Sequence, residues 1–483
     1  MTQFMVRNKV QAAPQGRSKL KWYGPGLLWM LSAVGTGSIL FTPRVAAEYE
    51  YQLAWLLMLV VFFMWVMIRE MARFSIVSGQ TMLEGLFSLS GPKGWAVWFI
   101  LVPQLLAAAV GIAGLSAIVG SALKEFLPGN GSLYAVLLVV LCTLFVAAGR
   151  YKMLEKYSRY MAIVLMAATV VAAVVVSPNV PAIAQGLMPS WPQEPDLYII
   201  LPWVGTILAG SMGIVWFGYW TATRGFGGGL ESRERDDESE ADTKEPAKET
   251  KDCSESERDQ KIKDWISVMT GTATLGVVAG LLVIFSFMVL GSELLAPKDM
   301  MPKGSDVATD LTQLFSDIWG SAGEYLLLAA IIIALGGSVL ANQDGWGRSF
   351  ADMTLILTRD KRENNQSGPI VNSMAWFKKV TGLAMFERRH LKRFYVVLVT
   401  GILPIAIILI FSDPVAVMSA SGIIAALHTP FIALTALYVN RTRLPKALRP
   451  GLFITVCMTI AGIFYLAFAC LYLWNMATGS GGG

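Results

Sequence analysis

The sequence predicts an all-α polytopic membrane protein of eleven transmembrane helices. They form two inverted repeats of five, with helices one and six broken at mid-membrane. Three observations predict it. The 483-residue chain is 54% hydrophobic and only 15% charged, more apolar surface than a soluble domain buries. Apolar segments of membrane length recur throughout, and the connections between them are alternately basic and non-basic. Two of the segments, five apart in order, are interrupted by glycines near their midpoints.

Hydropathy places the spans at about 25–47, 51–72, 94–124, 132–149, 157–178, 198–223, 265–293, 322–350, 393–412, 413–439 and 449–475. Before the first lies a basic N-terminal segment, 1–22, with Arg7, Lys9, Arg17, Lys19 and Lys21 and no apolar stretch, so span one is read as a retained helix. Repeat one covers 23–178 and repeat two 198–439; 440–483 holds span eleven and a tail.

The basic connections contain Arg69 and Arg73; Arg150, Lys152, Lys156 and Arg159; Lys378, Lys379, Arg388, Arg389, Lys392 and Arg393; and Arg441, Arg443, Lys446 and Arg449. The positive-inside rule puts these and the N-terminus in the cytoplasm and the C-terminus outside, in a plasma membrane. The connection 225–263 opens with Gly225-Phe-Gly-Gly-Gly and runs into mixed charge around Glu231 to Arg258. Such a stretch cannot bury a core, so a disordered cytoplasmic loop is expected there.

The net charge of +5 sits on residues flanking apolar segments, so no nucleic-acid partner is implied. Cys142, Cys457 and Cys470 lie in apolar stretches and Cys253 in the charged loop, with no disulfide or metal-cluster spacing. His390 and His428 are the only histidines. No enzymatic activity and no resident cofactor are expected. The expected partners are membrane lipid and a small-molecule substrate, and the expected state is a monomer.

Span one contains Gly35-Thr36-Gly37-Ser38, then Thr42-Pro43-Arg44. Glycine costs roughly 1 kcal/mol per helix position against alanine and proline about 3. Unwound backbone at membrane depth survives only where protein buries it or where it lines a cavity. Span six repeats the interruption at Ala209-Gly210-Ser211-Met212-Gly213. One break alone fits close helix packing through small residues. Two at matching positions of two halves are the signature of an inverted-repeat transporter with its substrate between them.

Further polar and aromatic residues at depth extend the candidate site. Trp216 leads a cluster with Phe217, Tyr219 and Trp220, whose faces can stack on a sugar ring or hold a cationic group, or form an aromatic belt. Gln104 in span three either faces the site or satisfies a neighbouring helix. Span eight carries Asn342, Gln343 and Asp344, with Arg348 one turn beyond Asp344 and able to pair with it. Arg44 and Glu48 share that spacing and are candidates for an outer gate or an interface ion pair. His428, beside Pro430, is a candidate proton relay or a neutral packed histidine. Arg44, Glu48, Arg348 and His428 are therefore the gate or coupling candidates.

Several segments resemble the Nramp family of proton-coupled divalent-metal transporters, which has the LeuT-type fold. They are Gly24-Pro-Gly-Leu-Leu, Gln80-Thr-Met-Leu-Glu-Gly, Gly149-Arg-Tyr-Lys-Met-Leu-Glu155 and Leu427-His428-Thr429-Pro430-Phe431. The resemblance covers roughly Gly24 to Trp474. It implies that the family's helix-one Asp-Pro-Gly-Asn motif falls on Gly35-Thr36-Gly37-Ser38, without its carboxylate and amide. The helix-six motif Ala-x-x-Met-Pro-His falls on Ala209 to Ile214, keeping Ala209 and Met212 but not the histidine. The helix-ten glutamine falls on Gly422. Met212 is then the one retained side-chain ligand for a metal. A divalent cation needs hard oxygen ligands or negative charge in place of its water. The Gly35-Thr36-Gly37 break is also similar to the Gly-x-Gly break of amino-acid transporters of this fold.

These readings predict a secondary transporter working by alternating access, with Gly35, Thr36, Gly37, Ser38, Gln104, Ala209, Gly210, Met212, Gly213, Trp216, Asn342 and Asp344 around the substrate. A small polar organic solute, such as a sugar, amino sugar or amino acid, is expected, in symport with H⁺ or Na⁺. The alternatives are a Mg²⁺ or Mn²⁺ transporter and a receptor or scaffold that does not transport.

Overall fold

In lipid every backbone N–H and C=O must be bonded within the protein, and long apolar segments achieve this as helices. The computed structural model describes residues 6–7, 10–24, 26, 29–30, 35, 37–149, 152–230, 254–304, 307–364, 366–381, 387–411 and 413–478; at 152–159, 161–162, 209, 377 and 380–381 it describes backbone only. Every regular element among the described residues is helical.

Beyond a wide turn at Gly37–Phe41, α1 (Thr42–Tyr49) continues span one. Then come α2 (Ala54–Ser78), α3 (Trp95–Phe126), α4 (Gly131–Ala148) and α5 (Lys152–Val175). Span six is two helices, α6 (Leu197–Thr206) and α7 (Gly210–Thr223). Span seven is α8 (Glu255–Leu290). Span eight comprises α9 (Ser321–Ala330) and α10 (Gly336–Glu363), joined by a wide turn at Ile331–Leu335. Span nine comprises α11 (Arg388–Val397) and α12 (Leu403–Ile410). Spans ten and eleven are α13 (Pro414–Arg443) and α14 (Leu452–Thr478).

Among the described residues, nine helices are long and apolar enough to cross a membrane, corresponding to spans two to four and six to eleven. Span five makes a tenth if Ile163–Val175 and Val180–Gly186, bent by 112°, count as one. Much of the first half of span one lies outside the described residues. So does 231–253, the greater part of the expected disordered loop.

Packing gathers the broken helices at the centre. α13 lies along α3 and α6, α7 along α2, and α10 along α3. The α6–α13 crossing depends on small residues. A Cβ on Gly422 would come within 2.8 Å of the Pro202 carbonyl oxygen, and one on Gly205 would strike the Gly422 carbonyl.

Arg69 and Arg73, read above as loop residues, are buried inside α2, which continues to Ser78. Arg69 donates to Thr270 Oγ1 at 3.1 Å and lies 4.4 Å over the Trp65 ring. Arg73 Nε is 3.0 Å from both oxygens of the buried Glu70. Asn440 Nδ2 donates to Glu70 Oε2 at 3.0 Å and to the Glu70 carbonyl at 2.9 Å, tying α2 to α13. Breaking a buried pair from one side costs about 3–5 kcal/mol, because the other charge is left behind. Glu70→Ala is therefore expected to lower the thermal midpoint of the detergent-purified protein far more than Glu84→Ala, whose partner Arg359 is 45% exposed. Equal losses would contradict this role for Glu70.

On the same face the N-terminal segment is packed into the bundle. Arg7 is buried and donates to the carbonyls of Ser75 and Gly229. Trp265 Nε1 donates to the Gln11 carbonyl at 2.8 Å, and Trp22 meets Phe226 and Trp265 edge-on in an aromatic cluster.

Candidate functional site

The break in span six is built on backbone that rejects helix. α6 ends at Thr206; Leu208 takes φ 54° and ψ 52°, and Gly210 takes φ 60° before α7 starts. Leu208 holds this left-handed conformation, which costs of order 1–3 kcal/mol for a non-glycine residue, with its side chain fully buried. The break in span one faces it. Thr42 Oγ1 donates to the Gly37 carbonyl at 2.8 Å and accepts from Trp203 Nε1 of α6 at 3.0 Å. The two breaks touch at Gly37, where a Cβ would be driven into the Thr206 carbonyl oxygen.

A cavity of about 110 Å³ opens beside this contact. Gly35 and Gly37 line it from span one, and Thr206, Gly210, Ser211, Met212 and Trp216 from span six. α3 adds Gln104, Ala107 and Gly111; α10 adds Ser338, Asn342 and Trp346; α13 adds Met418, Ser421 and Ala425. Among the described residues, none that lines it is ionisable. Among the described residues, no group of three or more His, Cys, Asp or Glu is placed to hold a metal ion.

Gln104 joins three helices. Its Nε2 is 2.8 Å from Ser211 Oγ of α7 and 2.6 Å from His428 Nδ1 of α13. It therefore both lines the cavity and satisfies its neighbours. The His428 ring stacks on Phe431, with centroids 6.1 Å apart.

Trp216 forms a wall. Its Nε1 donates to Ser349 Oγ at 2.9 Å, and its ring meets Trp346 edge-on at 5.3 Å. It also lines a second, smaller cavity of about 20 Å³, together with Ser75, Thr81, Tyr219 and Asp352. The indole thus separates the central cavity from a pocket nearer the face where Arg388 donates to Asp352 at 2.6 Å and to Tyr219 OH at 2.9 Å.

Of the residues expected around a substrate, Gly35, Gly37, Gln104, Gly210, Met212, Trp216 and Asn342 line the cavity. Thr36 lies outside the described residues, and Ala209 belongs to the turn between α6 and α7. Ser38 is buried off the cavity, with no hydrogen-bond partner for its hydroxyl. The Gly213 carbonyl accepts from Trp29 Nε1 at 2.8 Å.

Asp344 is off the cavity too. It pairs with Arg348 at 2.8 Å and with Lys392 of α11 at 2.6 Å, a local charge cluster fixing α10 to α11. Gln343 bonds Thr143 Oγ1 at 3.0 Å and the Thr400 carbonyl at 2.7 Å. Among the described residues, Arg44 and the exposed Glu48 form no ion pair; Arg44 Nη2 lies 3.7 Å from Met301 Sδ. The sequence reading missed Ser211, Thr206 and the small residues of α3 and α13. It also missed Ser338 and Trp346, although they sit one turn either side of Asn342 on one helix face.

The sequence model described as "Natural resistance-associated macrophage protein-like" matches residues 26–343. The chain belongs to the Nramp family. This is a transporter family, and the present member is a multi-pass membrane protein. An uncharacterized protein of Pasteurella multocida is 26% identical to it over 161 residues, which is 33% of this chain and 36% of that protein. Two variants of the Eremococcus coleocola manganese transporter have similar folds at 13% identity. One gives a TM-score of 0.63, covering 98% of this Nramp chain and 91% of that one; the other gives 0.62, covering 96% and 89%. The likeness extends the LeuT-type fold beyond the matched segment to α11–α14.

Proposed function

We propose that this Nramp-family chain is a secondary transporter that carries a small polar organic solute by alternating access, bound between the broken spans one and six. One observation carries the reading: among the described residues, the cavity at the breaks is lined by amides, hydroxyls, indoles, two thioethers and small or aliphatic residues, and by no ionisable side chain. A divalent metal leaving water needs hard oxygen ligands or negative charge in exchange. Backbone carbonyls and Met212 are a weak replacement. An organic solute instead needs shape, a few polar contacts and apolar walls, which this lining supplies.

We place the basic face, with the N-terminal segment, in the cytoplasm. Coupling to H⁺ or Na⁺ belongs to the same proposal and is read by imposing each gradient separately on reconstituted vesicles. A second reading, transport of Mn²⁺ or Mg²⁺, is favoured by family membership and by the Met212 thioether on the cavity wall.

A thermal-stability panel on the purified protein separates the two. An organic solute from a set of amino acids, amines, sugars and amino sugars is expected to raise the midpoint, while Mn²⁺ and Mg²⁺ leave it unchanged. Stabilisation by the metals alone would replace the first reading by the second.

A further inference from the structure

Hydrogen-bond direction divides the cavity: on the α7 side Ser211 Oγ accepts from Gln104 Nε2 and keeps its own hydrogen, whereas the hydroxyls of the α10 and α13 side have spent theirs. Asn342 Nδ2 gives one of its two N–H groups to the Ser338 carbonyl at 2.8 Å, and its Oδ1 is open to a ligand. Ser338 Oγ donates to the Ala334 carbonyl at 3.0 Å, and Ser421 Oγ donates to the Ala107 carbonyl at 3.1 Å. Thr206 Oγ1 donates to the Pro202 carbonyl at 2.7 Å. A carbonyl oxygen can only accept, so each assignment is fixed, and each hydroxyl keeps only lone pairs for a guest. The Trp216 N–H is likewise committed to Ser349.

On the α10 and α13 wall Asn342 Oδ1 and the hydroxyl oxygens of Ser338 and Ser421 therefore present three acceptors, beside the second Asn342 N–H and the Trp346 N–H. At those three oxygens an acceptor-only guest would set lone pair against lone pair and leave polar atoms unmatched. A guest rich in N–H donors matches them. α6 ends at Thr206, so the carbonyl end of a helix, which carries partial negative charge, also borders the cavity. The indoles of Trp216 and Trp346 add π-faces that attract cations. The amide end of α7 at Gly210 to Met212 carries the opposite sign, so a cationic head belongs on the α10–α13 side.

Resting on the organic-solute reading above, we infer that the cavity takes a small organic amine as its ammonium ion, donating to Asn342 Oδ1 and to the hydroxyl oxygens of Ser338 and Ser421.

Three two-carbon probes test this, each with one hydroxyl and a different head: ethanolamine, glycolate and ethylene glycol. Binding is read from thermal-midpoint shifts and from titration calorimetry on the purified full chain, with Mn²⁺ as a fourth probe. Ethanolamine is expected to bind, and glycolate and ethylene glycol to produce no shift. Asn342→Leu is expected to remove the response. Asn342→Asp, which keeps the shape and adds a carboxylate, is expected to tighten ethanolamine at least about tenfold. It also keeps the test valid if the leucine variant fails to fold.

No response to ethanolamine, preference for glycolate, or weaker ethanolamine binding by Asn342→Asp would overturn the inference. If ethylene glycol or glycolate binds instead, only the amine assignment falls. If Mn²⁺ binds and no organic probe does, the organic-solute reading falls with it.

Discussion

Replacing Gly37 by leucine abolishes solute binding and uptake. Gly37 is where the two breaks meet, and any Cβ there runs into the Thr206 carbonyl, with the carbonyl carbon at 2.8 Å and Thr206 Oγ1 at 3.1 Å. The obstruction is backbone rather than a flexible side-chain end, so it cannot swing aside. Overpacking a site of this kind typically costs about 1–3 kcal/mol. Here the displacement falls on a cavity wall, since Gly37 and Thr206 both line it. The expected result is a monodisperse protein with a modestly lowered thermal midpoint, no solute-induced stabilisation and no uptake into proteoliposomes. Uptake at the parental rate would remove the binding site from the contact between spans one and six.

Trp216→Ala has the second largest expected effect, and of a different kind. Among the described residues, Trp216 is the one shared by the central cavity and the smaller pocket beyond it. Truncating a buried tryptophan costs about 3–5 kcal/mol and leaves a void where the ring was. Here the void joins two existing spaces. Vesicles carrying Trp216→Ala are expected to leak solute down its gradient and to lose concentrative uptake. Trp216→Phe keeps the ring bulk but lacks the N–H that reaches Ser349 at 2.9 Å, and should retain uptake at a reduced rate. Undiminished accumulation by the alanine variant would contradict the role of Trp216 as a barrier.

Much of the architecture was legible because lipid leaves few choices. Nine of the expected spans correspond to described helices or broken helices, and Gly210 marked the second break. The break nevertheless begins earlier than the glycines, because Leu208 adopts a left-handed conformation that local propensity disfavours and burial imposes. α8 starts at Glu255, well before its apolar stretch. Ser254 caps this polar first part and the Lys261–Glu257 pair supports it, so hydropathy alone misses it.

The site was half legible. Gly37, Gln104, Trp216 and Asn342 stand out as polar, aromatic or helix-breaking residues within apolar spans. Ala107, Gly111 and Ala425 do not, because small residues in a membrane helix read equally well as packing contacts. Asp344 shows the opposite failure. A charge inside a span signals function by default, but its second cation, Lys392, enters from α11, and no spacing along one helix reveals that pairing.

Mn²⁺ flux tests the central claim most directly, since the claim is that a charge-free cavity in this Nramp-family chain serves an organic solute rather than a transition metal. Proteoliposomes holding the full chain and an internal metal-quenched dye would be exposed to external Mn²⁺ under an inside-negative potential and an inward proton gradient. The account predicts Mn²⁺ entry no faster than into protein-free vesicles, at every concentration. Saturable Mn²⁺ uptake that disappears in Met212→Ala would contradict it.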